Sequence, residues 1–175
     1  MGGFSEKGGA GLLADPLGPI GYGDSPYQSF SSFAGNPYYI SLEKLISYGW
    51  LTEEECESVD WGADERYVDY GLLYKNRFAL LRKAFQKSRI EKNPQFRKFQ
   101  EEEKDWLRDF ALFMALKEEN EGKPWTLWEE DVKYRKEEVL RDKAKELAQE
   151  ICYYEFLQFE FYRQWLELKN YANSQ

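Results

Sequence analysis

From about Glu137 to Tyr171 the chain reads as one helix, about 50 Å long at 1.5 Å per residue, and the rest of the fold has to arrange itself around it. Leu140, Leu147, Tyr154, Phe161 and Leu168 recur every seven residues. Ala144, Ile151, Gln158 and Trp165 form a second seven-residue series four positions later. Together they make a 4-3-4-3 seam of the kind that packs helical hairpins and bundles. The second half adds Tyr153, Phe156, Leu157, Phe159, Tyr162 and Leu166, which cover most of the other faces. A helix apolar nearly all round has to be buried on more than one side. Either the other helices wrap it or it leans on something larger. Without such a larger body, Tyr153, Phe156, Phe159, Tyr162 and Leu166 are not expected all to find cover from about three other helices. Each large side chain left wet forgoes roughly 1.5–3 kcal/mol, so an exposed aromatic patch and self-association are expected.

The rest of the chain supports a mainly α fold. Residues 75–90 carry Phe78, Leu81 and Phe85 on one helical face with basic residues between them. Asn93-Pro94 starts another helix, with Phe96, Phe99, Trp106, Phe110, Phe113 and Leu116, that is expected to stop near Gly122. Ser41 is placed to cap a short helix that Gly49 ends, and Thr52-Glu53-Glu54-Glu55 has the form of a capping box. Residues 58–71 read as a connector bent at Gly62 and Gly71. No period-two strand pattern and no internal repeat is present. Most of the glycines and four of the six prolines fall before residue 38, so this part reads as an irregular loop. Residues 1–15 are expected to be a flexible tail or scar, followed by a loop segment over 16–40 and a helical subdomain over 41–175.

Composition removes several kinds of chemistry. The 175 residues contain no histidine, which excludes Ser-His-Asp and Cys-His mechanisms and imidazole metal ligation within the chain. Lys and Arg number 24 against 32 Asp and Glu, a net charge of −8 that disfavours a nucleic-acid partner. No apolar run is long enough for a membrane helix, and the start lacks the layout of a signal peptide. The two cysteines, Cys56 and Cys152, form no framework and are expected to be free thiols. These features together make the cytoplasm the expected location. No metal and no cofactor is expected. The acidic runs Glu53–Glu55, Glu101–Glu103 and Glu118-Glu119 read as solvated helix faces.

The loop Gly21-Tyr22-Gly23-Asp24-Ser25-Pro26-Tyr27-Gln28 puts two aromatics, an acid, a hydroxyl and an amide on a turn braced by Gly and Pro. Sugars offer apolar C–H faces edged by hydroxyls, which suit aromatic plates and short polar side chains. A merely packed loop is the other reading.

The run from Pro16 through Tyr38, with Gly21-Tyr22-Gly23-Asp24-Ser25-Pro26-Tyr27-Gln28 at its centre, closely resembles amylomaltases, the bacterial 4-α-glucanotransferases. Val68-Asp69-Tyr70-Gly71-Leu72-Leu73-Tyr74, Trp106 through Leu116, Gly122-Lys123-Pro124-Trp125 and Phe161-Tyr162-Arg163-Gln164-Trp165 continue the resemblance in order. It implies a (β/α)8 barrel parent, of which this chain is an incomplete part: the loop after the second strand and a helical insertion. It also implies transfer of α-1,4-glucan segments (maltodextrin, amylose) by a retaining mechanism with two carboxylic acids. The family's catalytic acids lie on later strands, so no catalytic residue is assigned here and the chain alone is expected to be inactive. Ser25 and Tyr27 match positions lining the donor-side glucose subsites. Tyr22 and Tyr70 match aromatics of a second glucan groove, with Tyr67 and Tyr74 close beside Tyr70. Two other readings stand beside this one: a stand-alone glucan-binding module, and a helical protein-interaction module.

Overall fold

The computed structural model describes residues 17–20, 29–62 and 66–175. The expected tail, residues 1–15, lies outside them. Among the described residues there are eight α-helices and no strand: α1 (Leu42–Ser47), α2 (Glu53–Glu57), α3 (Tyr70–Ser88), α4 (Pro94–Glu102), α5 (Lys104–Glu119), α6 (Glu130–Lys133), α7 (Glu137–Glu146) and α8 (Ala148–Asn173). Short 3-10 turns at Pro37–Tyr39, Ile90–Lys92 and Trp125–Leu127 link them. Helix α8 is the axis, packed along α5 and touching α3, α4 and the turn Pro37–Tyr39. The mainly α expectation holds.

The caps fall where side-chain chemistry puts them. Ser41 Oγ accepts the Lys44 N–H at 3.1 Å, and Gly49, at φ +74°, ends α1 in a conformation that L side chains avoid. Thr52 and Glu55 exchange both bonds of a capping box, at 3.0 and 3.1 Å. The same Glu55 carboxylate accepts from Lys83 at 2.8 Å and Lys87 at 2.7 Å, tying α2 to α3. Those ammonium groups, Lys83 first, hold its carboxyl down at about 2. Asn93 caps α4 in front of Pro94.

Three boundaries differ from the sequence expectation. Helix α3 starts at Tyr70, capped by Asp69, so Gly71 lies in its first turn and not in a bend. The helix begun at Pro94 breaks at Glu103 and ends at Glu119. The Glu103 carboxylate turns to accept the Trp106 indole N–H at 2.6 Å, and the break lets α4 and α5 each pack on α8. The C-terminal helix breaks at Leu147 (φ −95°, ψ 18°) into α7 and α8. Leu147 packs with a small distal cluster around Leu116, Trp128 and Val132. From Cys152 onward the same helix faces the main core, built on residues such as Leu45, Leu81, Phe85, Ile90 and Phe96. The break is the hand-over between the two.

The expected uncovered aromatic face is corrected. Tyr153, Phe156 and Phe159 are buried and Tyr162 is half-buried, whereas Leu166 stays exposed. The cover comes partly from α3 and α4, through the Phe85–Tyr153, Phe85–Phe156 and Phe96–Phe159 ring pairs, each with centroids 5.5 Å apart. The rest is supplied by the segment 33–41 and the start of α1, which lie against α8. Gln158, 1% exposed, accepts the Gly35 N–H at 2.7 Å and donates to the Gly35 carbonyl at 3.1 Å. Gln164 accepts the Ser41 N–H at 2.8 Å, Tyr162 donates to the Phe33 carbonyl and Lys44 pairs with Glu167. The Gly35, Ser41 and Lys44 links all span 123 residues of sequence, so the two segments keep step. Gly35 is required there: a Cβ would sit 2.0 Å from the Phe161 ring.

This packing also buries carboxylates. Glu160 is fully enclosed, with Oε2 accepting from Arg163 at 2.6 Å and Oε1 unpartnered. The Arg163 guanidinium carbon lies 4.1 Å from the ring centre of Tyr48, at the end of α1. Burial outweighs the neighbouring arginine and pushes the Glu160 carboxyl from 4.5 up to about 7. Glu155 is likewise raised by burial, with Gln100 donating to it at 2.6 Å.

Two measurements test this account. Gln158→Leu keeps the bulk but leaves both Gly35 backbone groups buried without partners, so urea unfolding should show a loss of about 2–4 kcal/mol. For Glu160 the proton is bound more tightly in the folded chain than in the unfolded one. Its stabilising contribution is therefore complete below pH 4.5 and lost as pH rises through about 7. Glu160→Gln should match the parent chain near pH 4.5 and exceed it at pH 8 by on the order of 1–3 kcal/mol. An unchanged difference across that range would show that Arg163 keeps the carboxylate charged at no cost.

Candidate functional site

Of the four expected site residues, Tyr22, Ser25 and Tyr27 lie outside the described residues. The residues that bracket them, Ile20 and Ser29, are joined by an isolated antiparallel bridge. Ile20 and Phe30 then form part of the wall of a cleft of 890 Å³ between α3, α5 and α8. The fourth expected residue, Tyr70, lies in that wall.

Helical geometry gives the cleft its aromatic side. Asp69 accepts the Leu72 N–H at 3.0 Å and starts α3 at Tyr70. Residues four apart share a helix face, so Tyr70, Tyr74 and Phe78 form a row along the cleft. The Tyr74 and Phe78 rings lie 4.8 Å apart, and Tyr38 meets Phe78 edge-on at 5.5 Å. Tyr70 and Tyr74 are exposed, at 47% and 61%. Tyr67 is exposed too but does not line the cleft. Across from the row, Phe30 stacks on Phe110 at 6.4 Å, with the Lys117 ammonium 5.2 Å from the Phe30 ring centre. The floor includes Leu157 and Gln158 of α8.

A carboxylate held by several partners also lines the cleft. Glu118 of α5 takes Arg82 Nη2 at 2.9 and 3.0 Å on its two oxygens and the Tyr154 hydroxyl at 2.8 Å. Arg82 also pairs with Glu150 at 2.5 Å and lies 3.9 Å from the Tyr153 ring centre. Burial first, and then the Glu118 acceptor, raise the Tyr154 phenol, so it remains a donor. Asn36 caps the turn Pro37–Tyr39 by accepting the Tyr38 N–H at 3.0 Å. Among the described residues no group of three His, Cys, Asp or Glu side chains is placed to hold a metal ion. Cys56 and Cys152 are free thiols. No helix of the described residues is long and apolar enough to cross a membrane.

The cleft therefore offers aromatic faces, one of them in a row, next to an ion-paired carboxylate. Such a carboxylate accepts hydrogen bonds from hydroxyls. The row is legible only in part: Tyr70 and Tyr74 stand in one stretch of the resemblance, whereas Phe78 reads as one apolar position of a helical face. Glu118 was missed because a glutamate pair on a charge-rich helix has no distinguishing pattern; its partners Arg82 and Tyr154 are 36 residues away on either side.

Residues 4–175 match the sequence family described as 4-alpha-glucanotransferase. The chain is 44% identical over 158 residues to a 4-alpha-glucanotransferase of Clostridium butyricum, covering 90% of this chain and 32% of that protein. It is 44% identical over 175 residues to one of Thermus thermophilus, covering 98% and 34%. Among solved structures, amylomaltase from Streptococcus agalactiae in complex with acarbose superposes with a TM-score of 0.85 at 38% identity, covering 91% of this chain and 32% of that one. The chain thus spans about a third of the length of the relatives it matches.

Since Tyr70 is half open to solvent, Tyr70→Ala should change stability by no more than about 0.5 kcal/mol. Thermal unfolding checks this, and a large loss would mean that the ring is a packing element.

Proposed function

The chain belongs to the 4-alpha-glucanotransferase family, and from that premise we propose that it is the glucan-holding part of such an enzyme. The observation that carries the reading is the cleft in which the Tyr70–Tyr74–Phe78 row meets the carboxylate of Glu118. Aromatic plates take the apolar faces of α-1,4-linked glucose units, and the fixed acceptor takes a hydroxyl at their edge. Tyr70 belongs to a groove that holds the glucan away from the reacting bond, together with Tyr22. Ser25 and Tyr27 belong to donor-side glucose subsites. The resemblance in their loop, and the position of Ile20 and Phe30 on the wall of the cleft, support that assignment.

The activity proposed for the whole enzyme is transfer of α-1,4-glucan segments in the cytoplasm, with retention, through a carboxylate nucleophile and a carboxyl acid/base. Those catalytic acids are proposed to fall outside these 175 residues. Of the two carboxylates among the described lining residues, Glu121 pairs with Lys123 at 3.0 Å, and Glu118, held by Arg82, is suited to binding. Self-association of the chain would run through residues that stay uncovered, such as Leu166, Leu168 and Tyr171.

Titration of the 175-residue chain with maltoheptaose, followed by NMR, tests the binding role. Shifts should cluster at Tyr70 and Tyr74, with a dissociation constant in the millimolar range, about −4 kcal/mol. Tyr70→Ala should weaken binding several-fold. No shifts at these residues would overturn the reading. Incubated with maltotriose, the chain should release no glucose above a buffer blank, because glycoside cleavage without its carboxylates is extremely slow. Release would place the catalytic acids within this chain.

A further inference from the structure

We propose that Glu118 is the hydroxyl acceptor of the cleft for a neutral α-glucan, and that Arg82 is the positioning residue that aims it. The inference rests on the glucan reading above and assigns a polar partner to the aromatic row of the cleft.

The argument is one of counting acceptor sites. An ionised carboxylate offers about four lone-pair positions. In Glu118 three are filled: Arg82 Nη2 spans both oxygens at 2.9 and 3.0 Å, and the Tyr154 hydroxyl takes Oε2 at 2.8 Å. One position remains, on Oε1. The side chain is 47% exposed although it is bonded on three sides, and Glu118 and Tyr154 both line the cleft that holds the Tyr70 row. The open position is therefore available to a donor in the cleft.

The structure behind Glu118 is built to hold it still. Arg82 is itself held by Glu150 at 2.5 Å and by the Tyr153 ring under its guanidinium. Tyr153 is buried in the core. An acceptor fixed before binding loses little rotamer freedom when a ligand arrives, and a hydrogen bond to a charged oxygen is stronger than one between neutral groups. Glucose hydroxyls are donors of the kind required, and a ring stacked on the aromatic row presents them at its edge.

The test uses maltoheptaose and the intact 175-residue chain, with affinity followed by NMR and folding by circular dichroism. Glu118→Gln, which keeps the shape and loses the charge, should weaken binding about tenfold with the helical spectrum unchanged. Arg82→Ala should weaken it comparably and Arg82→Lys should restore most of the loss. In the double variant Arg82→Ala/Glu118→Gln the effects should not add, because both act through one carboxylate. If the parent chain binds and Glu118→Gln binds equally well, or if the two losses add, the assignment of Glu118 and Arg82 is overturned and the glucan reading survives. If the parent chain shows no binding, both fall together.

Discussion

The amide of Gln158 satisfies both backbone groups of Gly35 from inside the core, and most of the described structure depends on that exchange. An irregular segment cannot be buried unless its N–H and C=O groups find partners. Gln158 makes burial of residues 34–36 affordable, with Gln164 doing the same for Ser41. Once the segment is down, Ile40 and Leu45 join the core beside Phe156 and Leu157, and Asn36 can cap the turn that leads into the cleft wall. The polar contacts of α8 thus decide where the apolar ones form.

The same helix carries the chain's electrostatic burden. Glu155 and Glu160 are buried at positions where an apolar side chain would be ordinary. Glu160 lies in the same stretch of α8 as Gln158 and Gln164, against Arg163 and the α1 end. Replacing a buried ion pair by apolar groups is often neutral or stabilising, so its value here lies in directing Arg163 onto Tyr48. At the other end of the bundle, Arg82 bridges Glu118 and Glu150 and so links α3, α5 and α8 through one guanidinium. Glu118 of that link also lines the cleft, so packing and recognition share residues.

Features encoded in a few neighbouring residues were legible in the sequence: the Ser41 cap, the Thr52–Glu55 box, the stop at Gly49 and the start at Pro94. The breaks at Glu103 and Leu147 were not, because nothing local forbids helix there. Each is set by what lies across the interface, α8 for the first and the Trp128 cluster for the second. The seven-residue series failed at its end, where Leu168 is 58% exposed. In the middle it read Gln158 as a seam position without foreseeing what the amide would bind. The uncovered aromatic face was misjudged because the Gly- and Pro-rich segment was counted as loop and not as cover. For the site, Tyr70 was legible through resemblance, and Glu118 was not, since its distinction lies in partners from two other helices.

The constant offset of 123 residues between the two edges of this contact has a consequence for how the protein is made. Translation proceeds at about 5–20 residues per second, so Gly35 is polymerised roughly 6–25 s before Gln158. During that interval the apolar residues near Ile40 and Leu45 have no permanent seat. The early helices, with their self-contained caps, can form on schedule, while closure of the core is deferred to the last helix. Until the glutamine is made, residues 34–36 have no partner for their backbone groups, and the segment cannot be buried.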